Sequence, residues 1–227
     1  MKVSVVLAAL NEAANIGPVV RGCLAHADEV VVVDDGSTDD TASVATEAGA
    51  RVFTLSRNRG KGVAVRRGAV EASGDVLVFM DADGQDDPED LPVLLLALDR
   101  ADMVIGSRFL GRFERDAITP LHAWGNRALT RAVNVLFGAR LTDSQAGFRA
   151  IRRERFLAAG LDATGYDVEV DLVLEVLRGG GKIVEVPVTR RPRGSGRSHL
   201  RTVRDGVRIA ARIGLKRLGG KGLPYWK

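Results

Sequence analysis

The chain of 227 residues contains one cysteine, Cys23, so an intrachain disulfide is excluded and a reducing compartment is permitted. Its three histidines show no spacing with cysteine that is typical of zinc ligands. No stretch approaches the roughly 20 consecutive apolar residues that a membrane-spanning helix needs, and no apolar run of signal-peptide length follows Met1. We therefore expect a protein that is soluble or attached peripherally to a membrane.

Two recognisable motifs are also missing. No G-x-G-x-x-G follows the first predicted strand, where ALNEAANIG (9–17) stands instead, and this argues against a dinucleotide-binding oxidoreductase. The arginines are not interleaved with aromatic residues, and no nucleic-acid-binding module is recognisable. We therefore expect no nucleic-acid partner.

The composition is that of a soluble globular protein, with 45% apolar and 27% charged residues. The length allows one α/β domain with a substantial core. Although the net charge is only +4, acidic residues concentrate in the first half, and the C-terminal part is rich in arginine and lysine. This asymmetry indicates a surface for an anionic partner.

Strands and helices alternate along the first half of the chain. Continuous apolar runs predict buried strands, the first at Val3–Ala9 and the second at Glu29–Val33. Further strands are predicted at 52–55, 76–80 and 103–106, and helices at 15–26, 40–48, 61–73 and 89–100. This alternation predicts an α/β, Rossmann-like, doubly wound and mostly parallel sheet with helices on both faces.

The second half is less regular. We expect an irregular loop at 109–120, helices at 121–137 and 168–178, and a strand at 182–189 that lies at a sheet edge because it contains Pro187. A basic loop, RRPRGSGRS (190–198), precedes a basic helix at 199–218. We divide the chain into an α/β domain at 1–198 and a basic amphipathic helix with its tail at 199–227.

Polar motifs follow four predicted strands, at 10–12, 34–39, 81–85 and 106–108. Doubly wound sheets bind ligands beyond the carboxyl ends of their strands. The four segments therefore predict one ligand site at this edge.

The segment MDADGQDDPED (80–90) crowds acidic residues after a buried strand. Asp81 and Asp83 lie two positions apart, so in extended backbone both carboxylates point to the same side and repel each other unless a cation is present. Hard Mg²⁺ or Mn²⁺ suits such oxygen ligands, and Gln85 offers a third oxygen. The remaining acids flank Pro88 and are expected to cap a helix: Asp86, Asp87, Glu89 and Asp90.

The segment DDGSTDDT (34–41) has two interpretations. Asp34 or Asp35 could accept hydrogen bonds from a nucleotide base or ribose. Alternatively the segment is a turn into a helix, with Ser37 or Asp39 as the cap.

Taken in order, several motifs resemble the family 2 glycosyltransferases of GT-A fold, in particular the dolichyl- or polyprenyl-phosphate sugar transferases. They are ALNEAANI (9–16), VVVDDGSTDDT (31–41), MDADGQDDPED (80–90), VIGSRF (104–109) and LTDSQAGFRAIRR (141–153). The resemblance runs from about Val3 to Leu200. It departs from the family where Ala9 replaces a usual proline, where Asp86 replaces a common histidine, and where GRSHL (196–200) replaces GESKL.

The resemblance implies an inverting, metal-dependent enzyme that moves a hexose from GDP-mannose or a UDP-sugar to dolichyl or polyprenyl phosphate, with Mg²⁺ or Mn²⁺ as cofactor. A phosphate monoester is mostly ionised near neutral pH, so such a reaction needs no general base. It needs cationic groups that bring two anions together.

The resemblance also implies the roles of individual residues. The nucleotide sugar would be bound by Ala9, Asn11, Glu12, Asp34, Asp35, Gly36, Lys61, Asp81 and Ala82, and the metal by Asp81, Asp83 and Gln85. The acceptor phosphate would be bound by Arg108, Arg127, Arg131, Ser144 and Ser198. The catalytic set would be Asp83, Arg108, Arg127, Asp143 and Arg193, of which Arg193 reaches the donor diphosphate.

Some side chains keep two interpretations. Asp143 is either a catalytic base or a structural partner of a neighbouring arginine. Glu169 either lies near the sugar or stabilises a helix N-terminus. Trp124 either lines a lipid-facing groove or lies in the core, and we expect the core because large aromatic residues are mostly buried.

The C-terminal helix also has two interpretations. Arg201, Arg204, Arg208 and Arg212 recur at helical spacing, and such a helix either lies on an anionic membrane surface or packs on its own domain. A lipid acceptor favours the membrane. We therefore expect a peripheral protein on the cytoplasmic face, and a homo-oligomer is compatible with the sequence.

Two other functions compete with this one. The first is glycosyl transfer to a saccharide hydroxyl, which requires a base such as Asp143. The second is a noncatalytic nucleotide-binding module that recruits partners to the membrane.

Overall fold

The computed structural model describes residues 1–114, 117–194 and 202–219. Its strands are β1 (Val3–Ala9), β2 (Glu29–Asp34), β3 (Arg51–Thr54), β4 (Val76–Asp81), β5 (Met103–Phe113), β6 (Arg149–Arg152) and β7 (Ile183–Arg190). Its helices are α1 (Ala13–Leu24), α2 (Thr41–Glu47), α3 (Lys61–Glu71), α4 (Leu91–Leu98), α5 (Pro120–Phe137), α6 (Arg153–Ala158), α7 (Val168–Arg178) and α8 (Thr202–Arg217), and a 3₁₀ turn covers Pro88–Asp90.

The strands form one sheet in the order β3-β2-β1-β4-β6-β5-β7. The pairs β1–β2, β2–β3, β1–β4 and β5–β7 are parallel, which confirms the predicted doubly wound and mostly parallel sheet. The strand that contains Pro187 is confirmed at the sheet edge. There a missing backbone N–H costs no hydrogen bond inside the sheet.

The sequence did not predict β6, which lies antiparallel between β4 and β5. It is four residues long, and arginines stand at both of its ends. Its only apolar residues are the fully buried Ala150 and Ile151. So short a run gives no periodic signal.

The expected irregular loop at 109–120 is wrong in its first part, because β5 continues to Phe113. Beyond Ser107 the strand is only half buried, and its pairing with β7 shifts register between Ser107 and Arg112. A Cβ on Gly111 would lie 1.9 Å from the carbonyl oxygen of Val188, so only glycine allows this close approach. A search for continuous apolar runs misses such a segment.

Alternate residues of each central strand face opposite layers of helices. On one face Val5 and Leu7 pack with α1, α2 and α4, and on the other face Val6 and Val31 pack with α3, α6, α7 and α8. Because both faces are covered, the central strands are continuously apolar.

The basic helix α8 docks on its own domain through buried ion pairs. Arg212 is 1% exposed and donates to Asp167 over 2.5 Å, and Lys216 lies 2.7 Å from Glu175. Ile209 and Ile213 join the core beside α7. For this face of the helix, the structure selects packing on the domain rather than contact with a membrane.

In the described ranges, no helix combines the length and the apolar character needed to cross a bilayer.

Candidate active site

The carboxyl ends of β1, β2 and β4 meet at one edge of the sheet. Ala9 pairs with Asp34, and Ala8 pairs with Asp81. The loops that follow these strands therefore face one another, as the sequence predicts. Ala9 and Ala82 are buried at this edge.

Side-chain hydrogen bonds join the loops after β1 and β2. Asn11 adopts a left-handed backbone conformation with φ 55°, which asparagine tolerates better than most residues. Its N–H donates to Ser37 Oγ over 2.9 Å, and its side-chain oxygen accepts from the N–H of Thr38 over 2.8 Å. Asp39 accepts from the N–H groups of Ala13 and Thr41, the first residues of α1 and α2, although the N-cap position of α2 is Asp40.

The carboxylates of Asp34 and Asp35 are buried and bonded to backbone N–H groups. Asp34 accepts from Ser37 over 2.9 Å, and Asp35 accepts from Arg59 over 2.7 Å and from Gly60 over 2.8 Å. Burial raises the pKa of Asp35 despite these bonds. Asp35 thereby fixes the start of α3, whereas nucleotide binding by either residue stays a prediction.

Gly36 allows the turn beside these carboxylates. Its φ is 80°, and a Cβ there would lie 2.6 Å from the carbonyl carbon of Arg57. Only glycine meets both conditions.

Lys61, at the start of α3, joins two acids of the site. Its Nζ lies 2.5 Å from Asp81 Oδ1 and 2.6 Å from Glu169 Oε1. Burial lowers the pKa of Lys61, but the two carboxylates outweigh that effect and raise it. Burial has the opposite effect on an acid and raises the pKa of Asp81. The positive charges of Lys61 and of the more distant Arg190 and Arg108 outweigh burial and bring this pKa far below its usual range.

Asp83 is held by the segment that follows β7. Its Oδ2 lies 3.1 Å from Arg193 Nη1, and the other terminal nitrogen of Arg193 donates to Glu12. Its Oδ1 accepts from the N–H of Gln85 over 3.0 Å. Burial and repulsion from Asp81 raise the pKa of Asp83 to about 6.

Two further arginines pair with the acids that follow Asp83. Arg190 lies 2.6 Å from the buried Asp86 and also donates to Gln85 Oε1 over 2.9 Å. Arg191 pairs with Asp87. The side-chain oxygen of Gln85 expected as a metal ligand is therefore bonded to Arg190.

The expectation that the later acids only cap a helix is corrected by these contacts. Asp87 does cap the 3₁₀ turn, since it accepts from the N–H of Glu89. Asp86 instead forms a buried ion pair, and Asp90 accepts from the N–H of Thr189 over 2.6 Å. Arginines from a distant segment thus hold most of the acidic cluster in place.

Arg108 and Asp143 form a second pair, on β5 and on the loop before β6. Arg108 Nε lies 2.6 Å from one carboxylate oxygen and Nη2 lies 2.8 Å from the other. Asp143 is fully buried, so its carboxylate ties the loop to β5. With both oxygens taken by a guanidinium, it presents no face to a substrate hydroxyl.

This loop also reaches the first cluster. A Cβ on Gly147 would lie 3.0 Å from Asp81 Oδ1, so the backbone at Gly147 runs directly beside that carboxylate.

The predicted acceptor residues on α5 lie in different surroundings. Arg127 is exposed and its guanidinium stacks 4.5 Å from the ring centre of Phe109, the neighbour of Arg108. Arg131 is exposed as well. Ser144 is fully buried, and its hydroxyl lies 3.0 Å from Thr130 Oγ1 and accepts from Gln145 over 2.8 Å. Ser198 lies outside the described residues.

The expectation that Trp124 lies in the core is wrong, because its side chain is 70% exposed. The face of α5 that carries it turns away from α7 and α8. Helical periodicity alone did not show which face of α5 is covered.

Asp81 and Asp83 fit a hard divalent cation. Each carboxylate already faces a cationic side chain, Lys61 or Arg193, so the position favours positive charge. Among the described residues, no group of three or more histidine, cysteine, aspartate or glutamate side chains could hold a metal ion. Two carboxylates suit Mg²⁺ or Mn²⁺ that takes its other ligands from water and a diphosphate.

A family model described as glycosyl transferase family 2 matches residues 4–157. The undecaprenyl-phosphate mannosyltransferase of Micrococcus luteus is 36% identical over 217 residues, which cover 88% of each chain. Glycosyltransferase AglJ of Haloferax volcanii is 37% identical over 204 residues, which are 86% of this chain and 65% of AglJ.

A solved structure shares the fold over nearly the whole chain. It is glucosyl-3-phosphoglycerate synthase from Mycobacterium tuberculosis in complex with Mn²⁺ and UDP-glucose, with a TM-score of 0.75 and 28% identity over 97% of this chain and 80% of that one. The GT-A fold expected from the motifs is thereby confirmed.

The structure gives a direct test of the Lys61 contacts. K61M removes the cation in direct contact with the half-buried Asp81 and the buried Glu169, which costs about 3 kcal/mol of unfolding free energy near neutral pH. Without Lys61, burial raises the pKa of Asp81, so the folded variant binds more protons relative to the unfolded state as the pH falls. The loss should therefore shrink toward acid pH. Urea denaturation at about pH 7.5 and about pH 5.5 measures it.

The double variant K61M/E169Q also removes the charge of Glu169, one of the two carboxylates that lose Lys61. It should recover part of the lost unfolding free energy. An equal loss for K61M at both pH values would show that the carboxylates do not carry the effect.

Proposed function

The chain belongs to glycosyl transferase family 2, and we propose that it transfers a hexose from a nucleotide diphosphate sugar to the phosphate of a polyprenyl lipid. One observation carries the proposal. Acids at the end of β4 and arginines of β5, β7 and the following segment lie at the same sheet edge. Such a site binds a cation on one side and anions on the other.

The relatives support the lipid phosphate as acceptor. The Micrococcus luteus protein, named for transfer of mannose to undecaprenyl phosphate, matches over 88% of both chains. The Mycobacterium tuberculosis enzyme, crystallised with UDP-glucose and Mn²⁺, supports a nucleotide sugar donor and a divalent cation. GDP-mannose and UDP-sugars are therefore the donors to test.

On the donor side, Asp81 and Asp83 would hold Mg²⁺ or Mn²⁺, which as a Lewis acid stabilises the charge of the departing nucleoside diphosphate. Lys61 keeps Asp81 ionised and in position through its 2.5 Å contact. Arg193, which contacts Asp83, would bind the diphosphate. Charge stabilisation of the leaving group is the main requirement of this step.

On the acceptor side, Arg108 and Arg127 would hold the lipid phosphate. The stacking of Arg127 on Phe109 brings its guanidinium toward the strand that carries Arg108. An ionised phosphate oxygen then attacks the anomeric carbon from the face opposite the leaving group, and the configuration inverts. No proton has to be removed, so the engagement of Asp143 with Arg108 is compatible with the reaction. Asp143 is a positioning residue on this account.

Transfer to a saccharide hydroxyl is the weaker alternative. It needs a general base within hydrogen-bond reach of the hydroxyl. Asp143, the residue considered for that role, has both oxygens bonded to Arg108.

We also propose that one face of α5 lies on the membrane. Exposed residues recur every three or four positions along it, which places them on one stripe: Leu121, Trp124, Ala128, Arg131 and Val135. The three large apolar side chains of this stripe are 64%, 70% and 74% exposed, and Arg127 borders it. Apolar residues beside arginines suit an anionic lipid surface. The location on the cytoplasmic face stays a prediction.

The reaction is tested with purified protein, Mg²⁺ or Mn²⁺, a short polyprenyl phosphate and radiolabelled GDP-mannose, UDP-glucose or UDP-N-acetylglucosamine. We expect a lipid-linked product from one of these donors. D83N should lower the rate at least about 100-fold, because it weakens metal-assisted departure of the diphosphate. D99N changes an exposed acid at the end of α4 and should leave the rate unchanged.

A neutral polyprenol serves as the matched acceptor. Turnover on a saccharide with none on polyprenyl phosphate would favour the hydroxyl acceptor, and no product from any donor would refute the proposal.

The membrane contact is tested by sedimentation with vesicles that contain phosphatidylglycerol. The double variant L121S/W124S should weaken binding at least about 10-fold, because each large apolar side chain contributes about 1.5–3 kcal/mol on burial. V70S is the matched control, since Val70 on α3 is 59% exposed. Equal binding of both variants, or no binding of the unaltered protein, would contradict the proposal.

A further inference from the structure

The carboxylate proposed to bind the cation is already occupied by an arginine. Arg193 contacts both Asp83 and Glu12, and its side chain is 17% exposed. The side chain of Asp83 is 13% exposed, so the pair is shielded from water and only weakly screened by salt.

We propose that Arg193 and the divalent cation exclude each other at Asp83, and that the arriving cation releases Arg193 to the diphosphate that it accompanies. This inference rests on the proposed function and concerns the same site. It gives the guanidinium of Arg193 two alternative partners, Asp83 before the donor binds and the diphosphate afterwards.

The exclusion follows from the atoms of Asp83. Its Oδ1 accepts from the N–H of Gln85 over 3.0 Å, and its Oδ2 accepts from Arg193 over 3.1 Å. A cation that approaches Oδ2 meets the guanidinium on the same oxygen, and two like charges at such a distance repel strongly. Arg193 must therefore leave before a cation can bind there.

The neighbouring arginines remain anchored when Arg193 leaves. Arg190 is bonded to Asp86 and Gln85. The N–H of Arg191 donates to the carbonyl oxygen of Gln85 over 2.7 Å, and its guanidinium pairs with Asp87. Arg193 can therefore change partners by movement within residues 192–194, without disturbing β7.

The charges of the cluster support the exchange. Four carboxylates, those of Glu12, Asp81, Asp83 and Glu169, outnumber the cations in direct contact with them, Lys61 and Arg193. The buried Arg149 adds a third positive charge near Asp81 and Glu169. The remaining excess of negative charge favours a further cation. Once that cation is bound, it neutralises Asp83 in place of Arg193. The guanidinium of Arg193 can then form charge-assisted hydrogen bonds with the incoming diphosphate.

The exchange couples the cation to the nucleotide. A cation that arrives alone takes Asp83 from Arg193 without replacing it, whereas a cation with a nucleoside diphosphate supplies a new anion in place of Asp83. The unaltered protein should therefore bind Mn²⁺ weakly alone and more tightly when a nucleoside diphosphate is bound. Mn²⁺ must in turn raise the affinity for the nucleoside diphosphate by the same factor.

Electron paramagnetic resonance of free Mn²⁺ tests this without turnover, in the absence and presence of GDP or UDP. R193Q should bind Mn²⁺ alone about 10-fold more tightly than the unaltered protein, because the competitor for Asp83 is gone. In the same variant, the factor by which the nucleotide raises the affinity for Mn²⁺ should fall at least about 10-fold. R191Q removes the same charge from the same segment, where its partner is Asp87, and should change either quantity by less than about threefold.

Three outcomes separate the claims. If R193Q binds Mn²⁺ alone no more tightly than the unaltered protein, or if R191Q matches R193Q, the exchange is refuted while the proposed function stands. If the unaltered protein binds Mn²⁺ neither alone nor with either nucleotide, the proposed metal-dependent function falls and the exchange falls with it. Should R193Q fold poorly, R193K serves in its place, since one ammonium group cannot reproduce the forked contact with Asp83 and Glu12, and it should shift Mn²⁺ affinity in the same direction.

Discussion

The site depends on the pairing of partly buried carboxylates with cations from distant parts of the chain. Asp81 and Asp83 lie two positions apart at the end of β4, and burial would drive protons onto them if they had no partners. Lys61 at the start of α3 and Arg193 beyond β7 supply those partners. The sheet places the acids, and the distant cations keep them charged and close together.

The surrounding structure fixes those cations. The start of α3 is held by Asp35, which accepts from the N–H of Gly60, and by the N–H of Gly62, which donates to the carbonyl oxygen of Thr164 over 3.0 Å. A Cβ on Gly62 would lie 2.3 Å from the carbonyl oxygen of Ala163, so glycine permits this contact. Lys61 therefore reaches Glu169 on α7, and α7 is fixed by its ion pairs with α8. The basic helix α8 thus stabilises the site indirectly, through the position of α7.

The sequence predicts the parts of this arrangement that are local. Continuous apolar runs identify β1, β2 and β4, and the polar segments after them identify the site edge. The sequence does not predict contacts between distant residues, because ion pairs leave no periodic signal. Arg190 and Asp86 are 104 positions apart, and Arg193 and Glu12 are 181 positions apart. For the same reason the metal role that the resemblance implies for Gln85 does not anticipate its bond to Arg190. The core position predicted for Trp124 rests on the usual burial of large aromatic residues, which does not show which face of α5 is covered.

In the proposed reaction, carboxylates and arginines at one sheet edge share a cation and a diphosphate between them. A crystal structure with Mn²⁺ and a nucleoside diphosphate would show this arrangement. We expect the carboxylates of Asp81 and Asp83 on Mn²⁺, with the guanidinium of Arg193 moved from Asp83 onto the diphosphate. A structure in which Arg193 still contacts Asp83 while Mn²⁺ and the diphosphate lie elsewhere would contradict it.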